Sequence, residues 1–573
     1  MNPVHRLSLS SARRALLGFV GLSLVACVGA ASCTAGEAPS EAPSAVPAAP
    51  EEVIFAHVYY KGEADLRRMT EGSLDLLEHA DRKAGWVGAL LDQAQYDDLR
   101  AQGYRVDIVR RETIVPRREG RAAGIPDYPC YRTVEETFAS MKALAADYPS
   151  LAKVIDVGDS YDKATPGGAA GYDMLVLRLT NSAVAGPKPA FFLMGAVHAR
   201  EYSTAETVMR FAEQMIHGYG TDPDATWLLD NYELHVMPQA NPDGRKTAEK
   251  GYYQRKNKNR SNGGYCANPP QPGNQYGTDL NRNSSFKFSD EGASDDPCDQ
   301  QYHGPSPDSE PETKAIQSYL KSLFPDQRGP LDTDAAPASA TGVVMSLHAY
   351  SDVVLYPWGY HTQDAPNGDG LRTLGRKFGY FNNYPVCQPG ECLYDASGST
   401  DDWAYGTLGV AAFTIELGTE FFEACSNFTN TILPENLPAL LYAFKAARRP
   451  YQAPSGPDSV SVTVSPSGAV AAGTMVTVTA TADDTRYNSN GYGTEATQNI
   501  AAARYTIDVP SWSEGVTAHA MRASDGKFNS RKEGVTGTID TTDLAPGKHL
   551  VMVESQDSAG NWGVPSAAFL TIQ

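Results

Sequence analysis

Phe191-Phe192-Leu193-Met194 is an apolar run that stops at Gly195, after which the chain presents a histidine and a carboxylate three residues apart, His198 and Glu201. Short apolar runs closed by glycine read as strands buried on both faces, which belong to sheets covered by helices. Just beyond, Ser203-Thr204-Ala205-Glu206 has the spacing of a capping box that opens a helix. A strand emptying into a loop ahead of a helix is where open α/β folds build sites, so His198 and Glu201 are expected in a strand-to-helix turn. Imidazole and carboxylate are a common Zn²⁺ ligand pair, and a catalytic zinc site uses three protein ligands with one position left for water. Val343-Val344-Met345-Ser346-Leu347-His348, a second apolar run ending in histidine, offers the third ligand. By itself, a His-x-x-Glu pair is more often two solvated loop residues than a metal site.

The chain's 573 residues exceed what one hydrophobic core supports, so two to four domains are expected. A formal net charge of −20 argues against nucleic acid as a partner, because polyphosphates demand a basic face. Residues 1–26 read as an export signal: Arg6, Arg13 and Arg14 precede an apolar stretch, Ala15 to Ala26, too short to span a membrane as a mature helix. Leu24-Val25-Ala26-Cys27 resembles a bacterial lipoprotein box, which would make the protein a cell-envelope lipoprotein anchored at Cys27; an ordinary secretory signal is the alternative. The anchor is the only expected membrane contact. Residues 27–52, rich in Ala, Pro, Ser and Glu, have the composition of a tether.

A small α/β unit follows at 53–125, with strands expected at Val53 to Tyr60 and Tyr104 to Val109, and helices at Glu63 to Met69 and Asp92 to Gln102. Arg110, Arg111, Arg117, Arg118 and Arg121 make an Arg-rich link expected to be exposed and open to proteases. Residues 126–450 alternate strands with helices, which means an α/β main domain; its central sheet, flanked by helices, is expected to be mixed. Helices are expected at Val134 to Tyr148, Thr204 to His217, Glu310 to Leu323 and Pro438 to Arg448. Short Val/Thr-rich runs separated by turn signals at 456–573 read as an all-β sandwich. Six of the eight cysteines lie in the main domain, an even number that argues for disulfides in an exported protein; Cys387 and Cys392 are placed to bridge a short loop.

Six blocks occur in order: His198-Ala199-Arg200-Glu201, Asn241-Pro242-Asp243-Gly244, Asp279-Leu280-Asn281-Arg282-Asn283, Ser309-Glu310-Pro311-Glu312, His348-Ala349-Tyr350-Ser351 and Phe413-Thr414-Ile415-Glu416-Leu417. Together they resemble the zinc carboxypeptidase family, the pancreatic-type metallocarboxypeptidases and their bacterial relatives. The resemblance implies that His198, Glu201 and His348 hold Zn²⁺ and that Glu416 is the general base and acid. It further implies that Asn281 and Arg282 bind the C-terminal carboxylate of a peptide or protein, and that Arg200 makes a further substrate-side contact. Cys266 and Cys298 resemble the positions of a family disulfide, and the α/β unit at 53–125 resembles the family's inhibitory propeptide. The chemistry suits these roles: zinc brings the pKa of bound water toward 7, within reach of a carboxylate base, and a planar guanidinium binds carboxylate through two hydrogen bonds.

One departure stands out. The family carries an arginine that polarises the scissile carbonyl, and in Gln254-Arg255-Lys256-Asn257-Lys258 a lysine, Lys258, occupies the expected position; Arg255 and Arg260 are the competing cations. Leu393-Tyr394-Asp395-Ala396-Ser397-Gly398-Ser399-Thr400-Asp401-Asp402-Trp403 resembles the specificity loop, with Tyr394 as the tyrosine that closes over substrate. Asp401 falls where basic-residue-specific members carry an acidic pocket floor, and Gly359 leaves room at the wall, so C-terminal Lys or Arg is expected; the alternative is that Asp401 only caps the helix through Trp403. Two further readings are a peptidoglycan-processing peptidase or amidase on the same scaffold and a non-catalytic binding protein. A serine hydrolase is disfavoured, since no Gly-x-Ser-x-Gly elbow occurs; a His-Glu-x-x-His zinc helix does not occur either.

Overall fold

The computed structural model describes residues 51–117 and 123–573, so the expected signal, Cys27, Arg118 and Arg121 lie outside the described residues. The first folded unit starts at Glu51, slightly before the tether was expected to end. Its four strands, Asp75–Asp81, Trp86–Leu91, Glu51–Tyr59 and Arg105–Ile114, lie in that order across one antiparallel sheet. Helices Glu63–Thr70 and Gln93–Ala101 accompany it, the second opened by a capping box on Asp92 and Gln95. Arg110 and Arg111, expected in an exposed link, belong instead to the last strand. Arg110 is half-buried, held by Glu112 and Glu420 and stacked on Phe55, because that strand runs on to Ile114 along the main domain.

The main domain is built on an eight-stranded mixed sheet whose spatial order is Val386–Cys387, Val353–Leu355, Ala411–Glu416, Val343–His348, Ala190–Met194, Glu233–Met237, Asp173–Leu179 and Ala152–Asp159. Its central strands are parallel and almost wholly apolar where they cross the core: Phe191 to Met194 and Val343 to Leu347, with Ser346 the one polar residue, are buried between packed helices. Register then determines what the strand ends bring together. His348 and Glu416 are direct partners on adjacent parallel strands, and the His348 strand pairs on its other side with the strand that ends before Gly195. Partners on one sheet face lie about 5 Å apart, so a ligand and a base emerge side by side at one edge.

Two helix boundaries differ from expectation. The helix after the ligand turn runs Tyr202–Gly218 with Glu201 at its N-cap, so Ser203 falls inside the first turn and the expected capping box with Glu206 does not form. The Thr204 hydroxyl accepts from Ala196 N (2.9 Å) and donates to Glu201 O (2.9 Å), which staples the ligand turn. The last main-domain helix runs Leu433–Ala446 and contains Pro438 within it; a π turn at Phe428–Ile432 leads in, so the proline does not mark the start. Three disulfides close the domain: Cys266–Cys298, Cys387–Cys392 and Cys130–Cys425, the last joining residues 295 apart.

The C-terminal residues form an all-β domain of eight strands, including Ala469–Val470, His519–Ala523 and Lys532–Asp540, which the turn signals alone did not separate. Two ladders share the strand His519–Ala523 and bury Val476, Val478, Val535 and Ile539 against Ile500, Tyr505, Val553 and Leu570. Leu550, Met552 and Val564 join the main domain's own core.

Candidate active site

His198 and Glu201 sit in the turn after Ala190–Met194, which is tight enough that a Cβ on Gly195 would fall 2.9 Å from the Thr204 carbonyl carbon. His348 ends its own strand. One ligand atom from each of these three residues lies within 4.8 Å of the others, and all three are buried. His198 Nδ1 stands 2.6 Å from Glu201 Oε1 and 3.0 Å from His348 Nδ1, while His348 Nδ1 stands 3.4 Å from Glu201 Oε2. Both Nε2 atoms are engaged elsewhere, His198 with Asp279 Oδ1 (3.2 Å) and His348 with the Ser346 hydroxyl (2.8 Å). Two facing imidazole nitrogens and a buried Glu201 oxygen without a partner among the described residues make a donor set that wants a cation. The chemistry, two imidazoles and a carboxylate with outer hydrogen bonds fixing ring orientation, fits Zn²⁺. Burial alone would raise the Glu201 carboxyl, yet the two imidazoles hold it below the ordinary carboxylate range.

Glu416 lies beside this group through its register with His348. Its Oε2 is buried and has no partner among the described residues, and burial, with Glu78 and Glu201 adding negative charge, pushes the carboxyl well above its ordinary value. Arg255 reaches the same place. Its guanidinium bonds Asp279 Oδ2 (3.1 Å from Nε, 3.0 Å from Nη2) and Glu78 Oε1 (2.6 Å). Lys258, the residue expected here by position, is turned away: its ammonium bonds Thr247 Oγ1 (3.2 Å) and lies over the Tyr276 ring, as Arg260 does. The chain between them explains the swap. Lys256, fully buried, is anchored on the Pro297 and Asp299 carbonyls, which sends Arg255 toward Asp279.

Asn281 accepts from Thr400 N (3.0 Å), and Arg282 is tied to Gly292 O (2.8 Å), so the loop carrying both is fixed against the segment around residues 398–400. Tyr394 is buried with its hydroxyl unpartnered among the described residues, and Glu78, Arg255, Arg282 and Glu416 are the charges acting on it. Asp401 is not the helix cap: Ser399 takes that position, while Asp401 is buried, with Oδ2 3.3 Å from the Thr414 hydroxyl and close enough to act on Glu416. Gly359 N donates to the Asp402 carboxylate (2.9 Å), which places that glycine at the neighbouring wall. His303, which no block claimed, is a loop residue held by Asp295 and Gly304.

Two residues of the first unit were not singled out in the sequence. Asp75 forms a bidentate pair with Arg200 (2.6 and 2.9 Å), and Glu78 holds Arg255; Asp75, Arg200 and Arg255 are almost wholly withdrawn from solvent. Leu77, Phe55 and Ile114 of the same unit pack on Tyr253, Tyr350 and Phe421, and Leu66 and Met69 join the cluster of Leu393 and Tyr394. Their charges were visible in sequence, but which surface they meet depends on docking.

A metal-ligand triad, a buried carboxylate at the next strand end and an arginine beside them, on a mixed helix-covered sheet, define a zinc peptidase centre. A profile of the zinc carboxypeptidase family matches residues 137–436. The chain therefore belongs to the zinc carboxypeptidase family and is a zinc-dependent metallocarboxypeptidase. It is 30% identical over 325 residues to carboxypeptidase A2 of Mus musculus, covering 54% of this chain and 68% of that protein. To carboxypeptidase A1 of Sus scrofa it is 28% identical over 344 residues, covering 58% and 69%. Among solved structures, thrombin activatable fibrinolysis inhibitor shares the fold at TM-score 0.53 and 21% identity, over 69% of this chain and 99% of that one. The carboxypeptidase A from Helicoverpa armigera does so at TM-score 0.55 and 19% identity, over 69% and 98%.

Proposed function

We propose that the protein removes the C-terminal residue of peptides or proteins, with Lys and Arg preferred, and that it is exported. The observation that carries the reading is the meeting of His198, Glu201 and His348 with Glu416 at adjacent strand ends. Zn²⁺ held by that triad would supply Lewis acidity and lower the pKa of a water there. Glu416 would take a proton from the attacking water as its oxygen adds to the scissile carbonyl carbon, and give a proton to the amine as the C–N bond breaks. Arg255 donates to the scissile carbonyl oxygen as charge develops on it. Asn281 and Arg282 hold the terminal carboxylate, Tyr394 closes over the residue being removed, and Arg200 contacts substrate from the other side. Asp401, a buried carboxyl at the position that the family resemblance makes the pocket floor, would favour a cationic side chain. Three disulfides accord with an oxidising compartment, and the signal-like start accords with export, either secreted or tethered through Cys27.

The first unit acts as an inhibitory propeptide in this reading. Asp75 and Glu78 neutralise the two arginines that substrate would use, and the apolar clusters keep substrate out. The test is Glu416→Gln in the chain freed of that unit: zinc should stay stoichiometric while turnover on C-terminally varied peptides falls by about 10²-fold or more, since a proton acceptor is lost but shape is kept. Unchanged kcat in that variant overturns the assignment.

A further inference from the structure

The all-β domain does not hang from the catalytic domain as an appendage. The connection between its strands Met475–Asp483 and Ile500–Ile507 lies along the catalytic helix Gly368–Asn382. Arg376 of that helix donates to Glu495 (2.7 Å) and to Tyr492 O (2.9 Å), and its carbonyl accepts from Asn488 N (2.9 Å). Beneath them Lys377, fully buried, pairs with Asp458 (2.8 Å). Asn488, also buried, donates from Nδ2 to Gly379 O (3.0 Å) and to Tyr384 O (2.5 Å). The approach is close: a Cβ on Gly379 would stand 2.8 Å from the Asn488 Cβ.

Tyr384 carries this contact to the active site. Its hydroxyl accepts from Gly418 N (3.4 Å) and from Asn436 Nδ2 (3.2 Å), and it acts on the Asp352 carboxylate. Gly418 turns the chain two residues after Glu416, at φ +69°, where a Cβ would meet Ile432 Cδ1 at 2.5 Å. Leu417 N, in between, donates to His348 O (2.8 Å). That hydroxyl therefore braces the turn that follows the base strand and faces Asp352, on the segment that follows the last metal-ligand strand. The backbone carbonyl of the same Tyr384 is held by Asn488, a side chain 104 residues later in the chain.

We propose that Asn488 is a positioning residue for the reaction, acting through Tyr384 and the Gly418 turn on Glu416, so that the all-β domain is part of the catalytic apparatus. The inference rests on the proposed peptidase reaction for its consequence, though not for the mechanical link. Small displacements of a catalytic group cost rate more than binding, so the effect belongs in kcat.

The experiment uses the full zinc-loaded chain, with kinetics read after the first unit has been cut away where the intact chain is silent. Asn488→Ala and Tyr384→Phe should each lower kcat about tenfold, leaving KM and bound zinc unchanged, and the double variant should be no slower than either single, as expected of residues acting in one chain of contacts. Asn490→Ala, on the same loop but bonded to Asn383, should keep the wild-type kcat. Hydrogen exchange on the same proteins should quicken at residues 416–421 as well as at 379–384. Wild-type kcat in Tyr384→Phe or Asn488→Ala with only a lowered Tm overturns the proposal, as does faster exchange confined to 379–384. A wild-type chain without peptidase activity sinks the proposed function instead, and the exchange pattern then decides the link by itself.

Discussion

Replacing Asp75 by asparagine keeps the shape of the side chain and removes its charge, leaving Arg200 buried against a neutral amide. Both partners are fully withdrawn from solvent, at 2.6 and 2.9 Å, so screening by water is minimal. Truncating one member of a buried charge pair costs ~2–5 kcal/mol, which is roughly 30- to 5,000-fold in the equilibrium between docked and undocked inhibitory unit. Glu78→Gln acts on Arg255 in the same way, but Arg255 keeps Asp279, so its effect belongs at the low end of that range. The apolar clusters around Leu77 and Leu66 are untouched, so the unit should stay folded and visit the open state more often. The assay is peptidase rate of the uncut chain, expressed against the same chain after removal of the unit. Asp75→Asn should raise the uncut rate by one to several orders of magnitude and leave the cut rate unchanged, since the residue is then gone. An uncut wild type as fast as the cut enzyme, or an Asp75→Asn chain as silent as wild type, refutes the argument that these carboxylates hold the cleft shut.

Arg255→Ala should lower kcat by about 10²–10³ as expected for loss of a transition-state donor, whereas Lys258→Ala should leave kcat near wild type; the reverse order would restore the lysine to the site. Asp401→Ile should shift preference from C-terminal Lys and Arg toward Leu and Phe, read as a ratio of kcat/KM across a peptide panel, and a wild type that already prefers Leu and Phe removes the basis for that reading. Acid should loosen the inhibitory unit. His57 and His79 lie on its face toward the main domain, with Trp86 stacked on His57 (3.6 Å) and Tyr350 beside His79, and the same cavity is lined by Arg110, Asp352 and Thr419. Burial pushes both imidazoles below their ordinary 6.5, against the opposing pull of Asp107 and Asp81, so the docked form favours the neutral rings. Their contribution is complete above pH 6.5 and is lost as pH falls through the lowered values. Hydrogen exchange across Glu51–Tyr59 at pH 7.5 and pH 5 should therefore show faster opening at the lower pH, and His57→Gln with His79→Gln should flatten the difference.

The sequence by itself pointed to the class of fold and to the strand ends that carry His198, Glu201 and His348. Apolar runs closed by Gly195 and by His348 read as buried strands, because strand ends and the turns after them are local features, while the ligand set came with the family blocks. The family blocks carried Glu416, Asn281, Arg282 and Tyr394 with them. Tertiary structure decided whatever depended on which neighbour a side chain meets. The pairing of His348 with Glu416 is a matter of register between strands far apart in the chain, and no local pattern specifies it. Spacing set Lys258 at the expected cation position with Arg255 and Arg260 competing; in the folded chain Arg255 points at Glu78 and Asp279 and Lys258 bonds Thr247, with Lys256 between them anchored on two carbonyls. Ser203 had the signature of a helix cap but lies inside a helix that starts at Tyr202, and the neighbouring Thr204 hydroxyl staples the ligand turn by accepting from Ala196 N. Asp75 and Glu78 are ordinary acidic residues until a separate unit docks and places them on Arg200 and Arg255. Asn488 is likewise a loop asparagine until folding sets it under Tyr384. Long-range docking is a sum of many weak contacts across surfaces distant in the chain, and for that reason it was written only in the folded structure.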